Sequence, residues 1–144
     1  MQLNPEKIKK ITLPIFQKYP SVEIAYLFGS IATQMSGTLS DIDIGIFLIE
    51  NMPTKDILNV ELDLLGELTS SLNTNKIDLT IMNLASNFLN FEIIKRNFPL
   101  FVKNEDFRID LEHHIHSMYL DRRFHETMFN QIFLQQIREK NGYS

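Results

Sequence analysis

Cysteine is absent from this 144-residue chain. That removes disulfide frameworks, thiolate metal sites and cysteine nucleophiles together. No apolar run approaches the roughly 18 residues that a membrane span needs. Met1 to Lys10 is polar and lacks the form of a signal peptide. The expected compartment is the cytoplasm, with no membrane partner. An excess of positive charge is missing too. The 14 basic and 18 acidic side chains leave a net charge of −4, so direct nucleic-acid binding is not expected. There is no internal repeat, low-complexity segment or linker. The length suits a single domain over residues 1–144, with a core at about 20–104 and a C-terminal helical segment at about 105–140. A chain this size buries roughly two-thirds of its unfolded surface and needs no staple.

What is present reads as helices alternating with short strands. Asn4-Pro5 opens a helix, with Asn as cap and Pro at the first helical position, and Pro20 closes it. Val22–Phe28 is the first strand and about Asp41–Ile49 the second. Pro53-Thr54 starts a helix with a leucine-rich stripe that ends at the turn Asn73–Asn75. Lys76–Met82 is the third strand. Ser86 caps a helix that runs to about Asn97, and residues 99–103 suggest a fourth strand. From Glu105 to about Lys140 the pattern is helical, as one helix or as two with a break. The expected fold class is α/β (α+β), a small mixed sheet backed by helices.

Two places along this frame suit chemistry. Val22–Phe28 ends at Gly29-Ser30. Glycine permits a sharp exit and close ligand approach, while a serine at a helix start adds a donor to free N–H groups that attract anions. Ten residues later comes Asp41-Ile42-Asp43. In the second strand Ile42, Ile44, Ile46 and Leu48 fall on one face, and Asp41, Asp43 and Gly45 on the other. Two carboxylates side by side repel and one resists ionising, unless a cation lies between them. Magnesium accepts a few carboxylate oxygens with water and phosphate completing its shell. A nucleoside-triphosphate site follows. A calcium loop does not, because Ile44, Gly45, Ile46, Phe47 and Leu48 supply none of the alternating oxygen ligands such a loop needs. In the third strand Ile77, Leu79 and Ile81 oppose Asp78 and Thr80, the same arrangement again. All of these acids are expected near one edge of one sheet.

These motifs resemble the nucleotidyltransferase superfamily that includes polymerase beta. More narrowly, the chain resembles the minimal nucleotidyltransferase (MNT) antitoxins of HEPN/MNT toxin–antitoxin systems. The resemblance covers about Pro20 to Arg123. It rests on Gly29-Ser30, the ten-residue gap, Asp41-x-Asp43, the acid in Lys76-Ile77-Asp78-Leu79, and less specifically Tyr119-Leu120-Asp121-Arg122-Arg123. It implies transfer of AMP from ATP to a tyrosine hydroxyl of a cognate HEPN ribonuclease toxin. By position, Gly29 and Ser30 would hold the nucleotide's phosphates, and Asp41 and Asp43 would hold two magnesium ions. Asp78 would complete the metal site and act as base for the acceptor hydroxyl. The chain departs from the pattern at Thr33 and Gln34, where many members carry Arg-Gly. An arginine there would make a forked contact with the triphosphate. Two other functions compete with this one: a non-catalytic antitoxin that only binds its toxin, and an aminoglycoside-type small-molecule nucleotidyltransferase. The latter usually has a substrate domain for which this chain has little room.

Other features read as structural. His113, His114 and His116 cluster late, yet His113 and His114 point about 100° apart on a helix. Arg108 with His113 mimics the Arg-x4-His signature of HEPN ribonucleases, which are all-helical, unlike this chain. Arg122-Arg123 reads as a solvated helix face. Phe124, Phe129, Ile132, Phe133 and Ile137 give the last segment more apolar surface than one stripe needs, fit for a core or for a partner protein.

Overall fold

The computed structural model describes residues 3–32, 41–95 and 97–140. The order is α1 (Pro5–Gln17), β1 (Val22–Phe28), α2 (Gly29–Ala32), β2 (Ile42–Leu48), α3 (Thr54–Leu72), β3 (Ile77–Ile81), α4 (Asn87–Lys95), β4 (Phe98–Val102) and α5 (Glu105–Lys140). Local chemistry sets the boundaries. The Lys7 N–H donates to Asn4 Oδ1 at 2.9 Å, and Pro5 opens α1. Asn73 takes a left-handed conformation (φ 54°) and closes α3. Ser86 Oγ accepts from the Leu89 N–H at 3.2 Å, and Asn104 Oδ1 accepts from the Phe107 N–H at 3.2 Å.

The four strands form one mixed sheet in the order β3-β2-β1-β4. β1 runs antiparallel to both β2 and β4. β2 and β3 are parallel, joined by the α3 crossover. Ile42, Ile44, Ile46 and Leu48 lie buried on the first face, as their alternation predicts, with Ile8 and Phe16 of α1 and Leu64 and Leu68 of α3.

The second face carries the acids at one end and is mainly apolar elsewhere. Beyond its acidic end it is covered by α4 and α5. Ile24 and Tyr26 pack with Met82, Ile93 and Ile115. Gly45 lies directly beneath Ile93, and the Phe47 and Phe107 rings are 5.8 Å apart. Glycine at 45 is what lets α4 sit this close, since a Cβ there would lie 3.1 Å from two Ile93 carbons.

The late segment is one helix of 36 residues, which settles the choice between one helix and two. Its first half is fastened to the sheet. Tyr26 donates its buried hydroxyl to Glu112 Oε2 at 3.1 Å. Arg108 pairs with Glu112 at 2.6 Å and also with Glu105. The second half carries Phe124, Phe129, Ile132, Phe133 and Ile137 exposed, Phe129 to 67%. At 100° per residue these side chains span more than half the helix circumference.

Candidate active site

Gly29 begins the site. It follows the last residue of β1, Phe28, whose register partner across the antiparallel pair is Asp43. Its φ is +78°, a conformation that L side chains resist. A Cβ at this position would also collide with the Asp43 carboxylate. The turn therefore needs glycine for its backbone and again for the contact. Gly29→Ala is expected to cost about 1–2 kcal/mol, a few degrees in melting temperature, and to displace Asp43. Thermal unfolding checks this, and an unchanged melting temperature contradicts it.

The three acids arrive from two strands. Asp43 and Asp78 are register partners across the parallel pair of β2 and β3. Asp41 lies just ahead of β2. Asp43 is half-buried, while Asp41 and Asp78 are exposed. Burial pushes the Asp43 carboxyl above its ordinary range, and the negative charges of Asp78 and Asp41 push it further. Asp43 thus feels both other acids in one local field. Gly29, Asp41, Asp43 and Asp78 are together at one end of the sheet, as predicted. Ser30 follows Gly29 in the first turn of α2, and its side chain lies outside the described residues. Thr33 and Gln34 lie outside them entirely.

Among the described residues no three His, Asp or Glu side chains are drawn together as a closed metal cluster. The donor set at this edge is nevertheless the type magnesium takes, hard carboxylate oxygens with unbalanced negative charge. Asp41, Asp43 and Asp78 fit a divalent cation on that ground. The His116 ring lies 5.7 Å from that of Phe91, which itself stacks on Tyr119 at 3.8 Å. Arg108 pairs with Glu105 and Glu112 on α5.

The family model described as polymerase beta, nucleotidyltransferase matches residues 6–106. The chain belongs to this nucleotidyltransferase family. The match spans every strand and all three candidate acids. No curated protein matches the chain. Several solved structures share its fold. A toxin–antitoxin crystal structure with AMP-PNP aligns at 23% identity, covering 91% of this chain and 99% of the other, with a TM-score of 0.66. An MntA-HpeT toxin–antitoxin mutant, in which two aspartates two positions apart are exchanged for glutamate, aligns at 21% over 91% and 99%, with a TM-score of 0.66. A tri-AMPylated Shewanella oneidensis HEPN toxin in complex with MNT antitoxin aligns at 18% over 90% and 98%, with a TM-score of 0.64. At these identities the likeness is one of fold, and this nucleotidyltransferase has that fold nearly throughout.

Reading the sequence missed how the second face is closed. Tyr26 and Glu112 are 86 positions apart, and neither lies in a motif. Burial first, and then the Glu112 charge, push the Tyr26 hydroxyl far above its ordinary range, so it stays a neutral donor. The one local signal was a tyrosine within the apolar run Ile24–Phe28 of β1, because a buried hydroxyl needs a partner.

Proposed function

We propose that this nucleotidyltransferase moves AMP from ATP to a tyrosine hydroxyl of a HEPN ribonuclease toxin and so acts as an MNT antitoxin. The observation that carries this reading is the register of Asp43 with Asp78 beside the left-handed Gly29 turn. It brings carboxylates and a close-approach backbone to one edge. Solved complexes of the same fold support the partner, one holding AMP-PNP and one an AMPylated HEPN toxin. The aspartates exchanged in the MntA-HpeT mutant have the same spacing as Asp41 and Asp43.

In this reading Gly29 and the backbone of Ser30 receive the phosphates, and Asp41 and Asp43, with Asp78 beside them, hold magnesium. Bound magnesium would neutralise charge on the phosphoryl group as it transfers. A tyrosine hydroxyl, with a pKa near 10, is a poor nucleophile at neutral pH and needs a base beside it. Asp78 is exposed, so an acceptor brought by another protein could approach it. It takes the hydroxyl proton as the new P–O bond forms, while the α-phosphorus bond to the bridging oxygen breaks and pyrophosphate leaves. The exposed apolar half of α5 offers a surface to hold the toxin. The added phosphate is bulky and anionic and would obstruct an RNA path on that partner.

Intact-mass spectrometry of a HEPN protein encoded next to this chain, co-expressed with it, tests the reading. One or more AMP additions are expected, absent with Asp41→Asn. A neighbour that stays unmodified yet fully inhibited in a stable complex would make the protein a binding-only antitoxin.

A further inference from the structure

Lys76 stands immediately before β3. The Ile42 N–H donates to the Lys76 carbonyl at 2.8 Å, the bond that closes the Ile42–Ile77 pair at the end of the parallel ladder. Lys76 thus enters β3 at the same end of the sheet at which Asp41 enters β2. Strand alternation puts Lys76 on the face of Asp78, opposite Ile77 and Leu79. The residue is exposed.

Two other lysines among the described residues are engaged or misplaced. Lys9 lies over the Phe98 ring at 5.9 Å, on the far edge strand. Lys95 pairs with Glu92 at 2.9 Å. None of the ion pairs formed among the described residues uses Lys76. Among the described residues the Lys76 ammonium thus has no ion-pair partner, at the end of the sheet that carries Asp41, Asp43 and Asp78.

We propose that Lys76 binds the polyphosphate tail of the nucleotide. The proposal rests on the nucleotidyl-transfer reading above. Three carboxylates and a triphosphate together remain negative even with two divalent cations, so a further positive group is wanted at this edge. Lysine meets phosphate as a compact point charge on a long flexible stem, which suits an approach from a strand edge. A simple surface pair with Asp41 would be worth little, and it is not formed.

Calorimetric titration with magnesium and a non-hydrolysable ATP analogue tests this, with AMP as the comparison ligand. Lys76→Met should weaken the analogue about tenfold or more, as expected for loss of a charge-assisted contact, and should change AMP binding by less than about twofold. Lys76→Arg should stay within about threefold of wild type, and both variants should melt like wild type. If Lys76→Met binds the analogue normally, or loses AMP and the analogue equally, the assignment is overturned. If the wild-type protein binds neither ligand, the nucleotidyl-transfer reading itself fails, and this inference falls with it.

Discussion

Asp43→Asn and Asp41→Asn are expected to leave a folded protein that no longer transfers a nucleotide. Each change removes one charged ligand from an edge whose opposite face is the intact apolar core. Loss of cation-held charge stabilisation of about 4 kcal/mol is on the order of 10³ in rate. Stability should move the other way for Asp43. Its folded carboxyl binds a proton more tightly than the unfolded one, because burial and then Asp78 and Asp41 disfavour its charge. Ionisation of Asp43 therefore opposes folding. This contribution is absent below pH ~4 and destabilises increasingly as pH rises through the raised folded value. Asparagine cannot ionise, so in chelator at neutral pH Asp43→Asn should melt at or above wild type. Added magnesium and ATP should raise the wild-type melting temperature and leave the variant's unchanged. Paired melting curves and single-turnover labelling read both effects. A variant that still transfers at near wild-type rate would remove Asp43 from the site.

Asp78→Ala should separate chemistry from binding. A positioned base contributes about 10²–10⁴-fold, so single-turnover transfer should fall by that factor, while Mg-ATP affinity falls less than with Asp41→Asn or Asp43→Asn. Asp78 is exposed, and an exposed substitution of this kind usually changes stability by no more than about 0.5 kcal/mol. A large fall in melting temperature with an unchanged rate would instead give Asp78 a structural role, capping the turn that leads into β3.

Much of this was legible in the sequence, because the signals are short-range. The isoleucine alternation in β2 fixes which way Asp43 points, and Asn4-Pro5 and Ser86 mark helix starts where the structure has them. The Gly29-Ser30 exit from β1 is equally local. Register is not local. That Asp78 pairs with Asp43 depends on the parallel direction imposed by the α3 crossover, and a slip of one residue would put Leu79 there instead. The closing of the second face depends on Gly45 meeting Ile93 and Tyr26 meeting Glu112, contacts between segments that carry no mark of each other. The unbroken length of α5 was undecidable for a related reason. Its apolar residues follow a clear stripe only where the sheet binds them, and beyond that they spread around the axis.

β3 is an edge strand of only five residues, and so is β4 at the other side of the sheet. An edge presents unpaired backbone groups to which a strand of another molecule can add. β4 carries Pro99, which has no N–H to offer. β3 has no proline. Its short length and the charges of Lys76 and Asp78 discourage such pairing instead. The acid assigned to proton transfer thus also guards against sheet-to-sheet aggregation, and exchanging it for a β-branched apolar residue would forfeit solubility along with activity.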